Sequence, residues 1–298
     1  MLFERQKRLL ALLNAHDSKL GNRDFQKLLF LYCHEVETTP TYDFVPYKFG
    51  GSSFTSYADK RRLTEQGLLV DEEQGWKLTK SGKSAATVPD DVQVEMGLFA
   101  KKYARLRGDA LVAEAYRRYP YYATRSEIAS RVLAGDRQAL AAIEKARPAT
   151  NASGLFTIGY EGHSLEGYLN QLLKNGVTVL CDVRRNPLSR KYGFSKNALS
   201  KSCEGIGIRY EHLPELGIPG ERRRALDTQA DYDALFAVYE RDDLPKQRKA
   251  LGLIRRWIDG GDRVALTCYE NLPEQCHRHC VAEALQQASG DKLDARHL

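Results

Sequence analysis

The chain lacks what a membrane-spanning or exported protein needs. No apolar run in its 298 residues approaches the ~18 residues of a transmembrane helix. Charged residues interrupt the first apolar stretch between Glu4 and Arg8, and no small-residue cleavage site follows, so a signal peptide is not indicated. We therefore expect a cytoplasmic protein without a membrane partner.

Cysteine is scarce, and neither sign of charge dominates strongly. Six cysteines in a cytoplasmic chain of this length are typical of buried thiols, ligands or reactive groups and not of a disulfide framework.

The 45 lysines and arginines exceed the 39 aspartates and glutamates, which gives a net charge of +6. This excess is compatible with a polyanionic partner, although many enzymes that bind no nucleic acid carry such a charge.

The length of the chain exceeds that of one typical domain and suits more than one. The pattern of apolar residues predicts a winged-helix-like domain at 1–86, a helical connector at 87–150 and an α/β domain at 151–298. The small, polar stretch Pro148–Gly154 is the best linker candidate. The predicted fold class is α/β, with a mostly parallel sheet domain preceded by a mainly helical domain.

The first domain is predicted to contain three helices followed by a β-hairpin. The helices span about Phe3–Leu13 and Arg23–Glu37, and a third begins near Ser53. Two short strands around Gln74 and Gly75 complete the winged helix-turn-helix order, in which the third helix enters the DNA major groove. The candidate nucleic-acid contacts are Lys60, Arg61, Arg62 and Lys77.

The same basic residues have a second interpretation. They could form a solvated face of a domain that only mediates protein contacts. Asp71, Glu72 and Glu73 at the predicted hairpin tip disfavour tight phosphate contact there. We predict a nucleic-acid partner, DNA more than RNA, and leave the oligomeric state open.

In the second half of the chain, strands and helices alternate, which predicts a mostly parallel sheet with helices on both faces. Polar side chains follow each predicted strand, and the carboxyl ends of parallel strands lie at one edge of the sheet. We therefore expect a ligand site at that edge. Its candidate ligand- or phosphate-binding residues are Tyr160, Arg184, Ser189, Arg190, His212 and Arg278.

One buried strand delivers Asp182 and several cations into a proline-interrupted loop at residues 181–196. Asp182 is a candidate general base or an orienting partner for an arginine. Arg184 and Arg185 could bind phosphate or carboxylate through paired donors. Alternatively, Asp182 bridges to Arg184 or Arg278 and only holds the sheet edge.

The last predicted strand ends near Glu270, and a helix is expected to begin at Pro273 and Glu274 and to carry Cys276 in its first turn. In one interpretation, Cys276 is a nucleophile or redox thiol assisted by His277, because the helix dipole lowers the pKa of a thiol at that position. The candidate catalytic residues are Asp182, Glu270, Cys276 and His277.

Two other interpretations of this stretch stay open. In the second, Cys276, His279 and Cys280 form part of a metal site, because positions i, i+3 and i+4 share a helix face. Tetrahedral zinc needs a fourth ligand and none is evident locally, so we predict no metal site. In the third, Cys276 and Cys280 pack in the core while His277 and Arg278 face the ligand.

Four segments of the second half carry a family resemblance: TIGY (157–160), DVRRNPLSR (182–190), YEHLPELG (210–217) and CYENLPEQCHR (268–278). In this order they resemble the family catalogued as domain of unknown function 488, over about residues 155–290. The front half resembles, more weakly, a winged-helix extension found on some members. The resemblance implies an α/β fold with one pocket shared by the four segments, and it implies no particular reaction.

The expected function is that of a nucleic-acid- or nucleotide-processing enzyme with an anion-binding α/β pocket, directed to its target by the winged-helix module. The first alternative is a non-enzymatic DNA-binding regulator that senses a small anion or thiol oxidation. The second is an interaction protein with a vestigial pocket. The sequence leaves the substrate, the reaction and any cofactor open.

Overall fold

The computed structural model describes residues 2–150, 152–223, 226–289 and 293–298. The chain divides into two units, Met1–Arg147 and Pro148–Leu298. Asn151, in the predicted linker, lies outside the described residues, and the finer border predicted between residues 86 and 87 stays a prediction. Within the described ranges, no helix combines the length and the apolar character needed to cross a membrane.

The first unit is mainly helical, as its sequence predicts. Its helices are α1 (Glu4–Ala15), α2 (Asn22–Glu35), α3 (Phe54–Glu65), α4 (Lys80–Ala85), α5 (Asp90–Lys102), α6 (Gly108–Arg118), α7 (Ala129–Val132) and α8 (Arg137–Lys145), with a 3-10 turn at Pro120–Ala123. Its strands are β1 (Lys19–Gly21), β2 (Val45–Tyr47), β3 (Gly50–Ser52) and β4 (Gly75–Lys77). Ser53 caps α3 by accepting a hydrogen bond from the Ser56 amide.

The pairing of β4 differs from the predicted hairpin. β4 is antiparallel to β1, with Leu20 opposite Trp76, and the segment before β4 contributes a bridge between Leu69 and Leu78. A second antiparallel pair, β2–β3, lies where no strand is predicted. Strands of three residues are too short to show the alternation on which strand prediction depends, and β1 is distant in sequence from its partner.

A buried carboxylate connects α3 to the start of the first unit. Asp59 accepts hydrogen bonds from Arg5 Nε at 2.7 Å, from Gln6 Nε2 at 2.6 Å and from the Tyr42 hydroxyl at 3.0 Å. Because a buried carboxylate is costly unless it is paired, these donors hold α3 against α1. The orientation of α3 and of its basic face depends on this side chain.

The second unit has an α/β fold with a five-stranded sheet. Its strands are β5 (Gly154–Gly159), β6 (Val179–Asp182), β7 (Arg209–His212), β8 (Arg263–Cys268) and β9 (Ala295–His297). The sheet order is β7-β6-β8-β5-β9 and every pair is parallel, which confirms the predicted parallel sheet. The continuous burial of β5, β6 and β8 is typical of parallel strands covered on both faces.

Helices connect these strands. They are α9 (Leu165–Lys174), α10 (Lys196–Gly205), α11 (Gln229–Val238), α12 (Arg248–Asp259) and α13 (Arg278–Gln287), with 3-10 turns at Pro214–Leu216, Gly220–Arg222, Leu244–Gln247 and Pro273–Gln275 and a π-helical turn at Tyr239–Asp243. The sequence predicts the other four strands of this unit, but not β9.

The last helix begins later than predicted. Pro273–Gln275 forms a 3-10 turn, Cys276 is extended with φ −137° and ψ 126°, and α13 begins at Arg278. The prediction that Cys276 lies in the first turn of a helix is therefore wrong. The reason is burial, because Cys276, His277 and Arg278 are all buried and three consecutive residues cannot face one side of a helix.

The segment after β8 lies directly against the end of β5. A Cβ atom at Gly159 would overlap the carbonyl oxygen of Glu270 and crowd Asn271. Only glycine lets the two backbones approach so closely. The glycine of the TIGY segment therefore positions Glu270 at the sheet edge.

Gly159→Ala is expected to destabilise the second unit by about 3 kcal/mol, because the added methyl group must displace backbone. Gly252→Ala, in α12, would meet only an ordinary contact with Arg256 and should stabilise by up to ~1 kcal/mol. Urea unfolding of both full-length variants measures the difference. Equal stability of the two variants would contradict the close approach.

Candidate functional site

A cavity of about 790 Å³ opens at the carboxyl edge of the sheet. It is lined by the loop after β6, by the segment around Gly220 and by the end of β8. The lining residues are Tyr160, Arg184, Arg185, Asn186, Leu188, Ser189, Arg190, Ile218, Pro219, Gly220, Glu221, Arg223, Cys268, Tyr269 and Glu270. Arginines outnumber glutamates in this lining, which favours an anionic ligand.

A buried ion pair lies at the end of β6. Asp182 is fully buried, and its carboxylate accepts hydrogen bonds from Arg184 Nε at 2.8 Å and from Arg184 Nη2 at 2.5 Å. The Arg184 amide donates to the same carboxylate at 3.1 Å, and the Tyr210 hydroxyl donates at 2.6 Å. These donors use all the lone-pair sites of the carboxylate, so none is left to accept a substrate proton. The structure thus gives Asp182 the bridging role and corrects its prediction as a general base.

The Arg184 guanidinium connects three segments. Its Nη1 donates to the Tyr160 hydroxyl at 3.1 Å and to the Phe194 carbonyl at 2.9 Å, and the Tyr160 and Phe194 rings stack 4.5 Å apart. Burial lowers the pKa of Arg184, but the hydrogen bond and charge of Asp182 outweigh burial and raise that pKa above its ordinary value. Arg184 is therefore a charged structural centre with few donors left for a ligand.

Arg185 and Arg190 differ from their neighbour. Both side chains are exposed, both line the cavity, and neither forms an ion pair within the described ranges. The backbone of Arg185 packs closely against Gly217. A Cβ atom at Gly217 would overlap the Arg185 amide nitrogen, so only glycine allows this approach. Arg185 Nη1 also donates to the Pro214 carbonyl at 3.4 Å, which leaves the other donors of the two guanidinium groups available to an anion.

Glu270 carries a carboxylate that faces the cavity. Its Oε1 pairs with Arg223, and its Oε2 accepts a hydrogen bond from Cys268 Sγ at 3.5 Å. Burial raises the pKa of Glu270, but Arg223 together with the Cys276 thiol and His277 outweighs burial and lowers that pKa below its usual value. Glu270 is therefore ionised at neutral pH.

Two cysteines and a histidine lie behind Glu270. The donor atoms of Cys268, Cys276 and His277 are within 4.8 Å of one another, and all three residues are buried. His277 Nε2 donates to the Val183 carbonyl at 3.0 Å. Burial raises the pKa of the Cys276 thiol well above its usual value. Cys276 also precedes α13 instead of lying in its first turn, so the geometry does not support a thiolate activated by the helix dipole.

The interpretation in which Cys276, His279 and Cys280 share a metal site is not supported by the geometry. His279 and Cys280 lie with Glu240, with donor atoms within 4.8 Å of one another. The late start of α13 explains the difference, because Cys276 precedes the helix and does not share its face. The buried set that suits a metal ion is instead Cys268, Cys276 and His277.

Arg278 has a structural role in place of the predicted phosphate contact. It donates to the backbone carbonyls of Glu270 and, at 2.8 Å, of Asn271, and to Thr157 Oγ1 at 3.3 Å. It is buried and does not line the cavity. These bonds satisfy carbonyl groups that leave the sheet after β8.

His212 also lies behind the cavity wall. Its Nε2 donates to the Arg184 carbonyl at 2.9 Å, and its Nδ1 accepts from Lys196 at 3.2 Å. Of the predicted ligand residues, the cavity lining includes Tyr160, Arg184, Ser189 and Arg190 but not His212 or Arg278. Of the predicted catalytic residues, it includes Glu270 but not Asp182, Cys276 or His277.

The segments that build the cavity match a known family. Residues 164–285 match the family model described as Domain of unknown function DUF488. The match includes DVRRNPLSR, YEHLPELG and CYENLPEQCHR and confirms the resemblance predicted for the second half, while TIGY precedes this DUF488 segment. No curated protein and no solved structure matches the chain. The winged-helix resemblance of the front half stays a prediction.

Two of the predicted nucleic-acid contacts, outside the DUF488 segment, are engaged within the first unit. Lys60 Nζ donates to the Glu72 carbonyl at 2.8 Å and to Asn22 Oδ1 at 3.3 Å, and it lies 5.2 Å over the Trp76 ring. Lys77 Nζ lies 3.8 Å from Glu72 Oε1 in an ion pair. The structure therefore gives Lys60 and Lys77 internal partners, and their role as nucleic-acid contacts stays a prediction.

The side chains of Arg61 and Arg62 are exposed. Both lie on α3, and within the described residues neither has a carboxylate partner. Acidic side chains surround the depression beside Arg61: Glu65, Asp71, Glu72 and Glu73. The nucleic-acid prediction for the first unit therefore depends on these two arginines.

Three site residues were not among the sequence candidates. Tyr210 holds Asp182, Arg223 holds Glu270, and Cys268 belongs to the buried cluster. Tyr210 lies on a short strand and Arg223 in an arginine-rich loop, so their signals are weak. The signal that could have indicated Cys268 is its spacing from Glu270, since positions i and i+2 face the same side of an extended chain.

Asp182→Asn is expected to destabilise the protein by about 3 to 5 kcal/mol, because it leaves the buried Arg184 charge uncompensated. Asp262→Asn is the matched control, since Asp262 pairs with the largely exposed Arg209 and its loss should cost at most ~1 kcal/mol. Urea unfolding followed by circular dichroism compares the two. An Asp182→Asn effect as small as that of Asp262→Asn would rule out the structural role.

Proposed function

We propose that the protein is a nucleic-acid- or nucleotide-processing enzyme that binds phosphate groups in the cavity at the sheet edge. The observation that carries this proposal is the pair of exposed guanidinium groups of Arg185 and Arg190, which line the cavity without a carboxylate partner in the described part of the chain. Guanidinium groups match phosphate oxygens with paired donors, so two such groups in one cavity favour a phosphate-bearing ligand.

The rim of the cavity supports a ligand that also carries bases. Leu188 is 75% exposed and Tyr269 is 44% exposed, and both line the cavity. Large exposed apolar and aromatic groups beside cations are typical of surfaces on which bases stack while the backbone is bound. A nucleotide or a nucleic-acid strand combines both features.

The chemistry of the site is assigned to Glu270. Glu270 is ionised and lines the cavity, and it lies beside Arg223, which could stabilise developing negative charge. Asp182 and Arg184 support the wall of the cavity. Position and charge therefore both favour Glu270 over Asp182 as a reactive group.

The first unit is proposed as a winged-helix-like module that directs the enzyme to nucleic acid. The pairing of β1 with β4 and the bridge between Leu69 and Leu78 support this, because they provide a small sheet beside α1, α2 and α3. Arg61 and Arg62 on α3 are the residues that would contact the duplex.

Replacing the cavity arginines tests the phosphate site. Arg185→Ala/Arg190→Ala should weaken binding of single-stranded oligonucleotides at least about tenfold and reduce the salt dependence by about two counterions. Fluorescence anisotropy across salt concentrations with DNA and RNA measures both. Arg248→Ala/Arg256→Ala removes equal charge from exposed positions on α12 and should change little. Equal losses in both variants, or no binding by the wild type at low salt, would refute the proposal.

Replacing the α3 arginines tests the module separately. Arg61→Ala/Arg62→Ala should weaken duplex DNA binding about tenfold while single-strand binding by the cavity persists, because the two surfaces bind different forms. Arg105→Ala/Arg137→Ala, also exposed in the first unit, is the charge-matched control. Unchanged duplex binding by Arg61→Ala/Arg62→Ala would remove the targeting role from α3.

A further inference from the structure

Three buried side chains of the DUF488 segment converge behind the cavity. Cys268 Sγ lies 3.8 Å from His277 Nδ1, and the donor atoms of Cys268, Cys276 and His277 are within 4.8 Å of one another. Around tetrahedral zinc, with zinc–sulfur distances of about 2.3 Å and zinc–nitrogen distances of about 2.0 Å, neighbouring donors lie about 3.5 Å apart. The three donors need only a small contraction to surround one ion.

The hydrogen bond of His277 leaves the nitrogen that faces the cysteines available. Nε2 lies 3.0 Å from the Val183 carbonyl, which can only accept, so Nε2 carries the proton. In this tautomer the lone pair of Nδ1 faces Cys268. A backbone carbonyl on the remote nitrogen is the usual support of a histidine that binds a metal ion.

Glu270 lies beside this cluster but is not one of its three donors. Its Oε2 lies 3.5 Å from Cys268 Sγ, and its Oε1 is held by Arg223. One carboxylate oxygen therefore faces Cys268, and the other is paired with Arg223. Cys268 and Glu270 also line the cavity, which gives an ion a path from solvent.

We propose that Cys268, Cys276 and His277 form a binding site for a divalent transition-metal ion of the zinc class. Two sulfurs and an imidazole favour such an ion over magnesium or calcium, which prefer oxygen ligands. Binding releases the two thiol protons to solvent, and the charge of the ion stabilises both buried thiolates. This site goes beyond the phosphate-binding function and does not depend on it.

Cobalt tests the site, because thiolate-bound Co²⁺ absorbs in the near ultraviolet by sulfur-to-metal charge transfer and tetrahedral Co²⁺ absorbs strongly in the visible. The reduced, chelator-treated full-length protein should bind about one equivalent of Co²⁺ with both absorptions, and Zn²⁺ should displace it. Cys268→Ser and Cys276→Ser should each weaken binding at least ~100-fold, the upper end of what loss of an outer-shell partner costs.

Two control variants remove other buried thiols. Cys203→Ser removes a buried thiol on α10, and Cys280→Ser removes the thiol beside His279 and Glu240. Both should keep the cobalt spectrum. The proposal is overturned if the wild type shows no charge-transfer absorption, or if Cys280→Ser abolishes it while Cys268→Ser does not.

A measurement on the wild type covers the case in which the cysteine variants do not fold. X-ray absorption of the zinc-loaded protein should show two sulfur neighbours at about 2.3 Å, and fewer than two would overturn the site. Arg185→Ala/Arg190→Ala should bind Co²⁺ as the wild type does. A failure of phosphate binding and a failure of the metal site are therefore distinguishable.

Discussion

The ion pair between Asp182 and Arg184 is the interaction on which the shape of the cavity depends. Asp182 ends β6, and its carboxylate also accepts from Tyr210 on β7. The guanidinium reaches Tyr160 after β5 and the carbonyl of Phe194 in the following loop. A buried pair of this kind adds little net stability compared with apolar packing, so its effect here is geometric: segments from three strands meet on two charged groups.

The sequence predicts the edge of the sheet at which the cavity opens. The strands β5, β6 and β8 are continuous apolar runs, and polar residues follow them at the end where parallel strands build sites. The roles of those polar residues did not follow from the sequence. Arg184 and Arg190 come after the same strand and are alike in sequence, yet one is buried on Asp182 and the other is exposed in the cavity. Which partner a side chain meets is decided by tertiary packing.

The same limit applies to the first unit and to the last helix. Lys60 and Arg61 are neighbours on α3. The Lys60 ammonium group lies over the Trp76 ring and donates to the Glu72 carbonyl, whereas Arg61 makes neither contact. Helical periodicity predicts faces and does not predict which element covers them. At Cys276, the sequence favoured a helix start because Pro273 suits that position, while burial of consecutive residues required a turn instead.

Backbone contacts, and not side-chain contacts, join the walls of the cavity at two glycines. Gly159 lies against the carbonyl of residue 270, and Gly217 lies against the amide of residue 185. At these two points, backbone atoms set the spacing of the walls, whereas the side chains of Glu270 and Arg185 carry charge. Exchanging the side chains of Glu270 or Arg185 leaves these contacts in place, so the backbone around the cavity is a frame in which laboratory selection could alter ligand preference one position at a time without rebuilding the sheet.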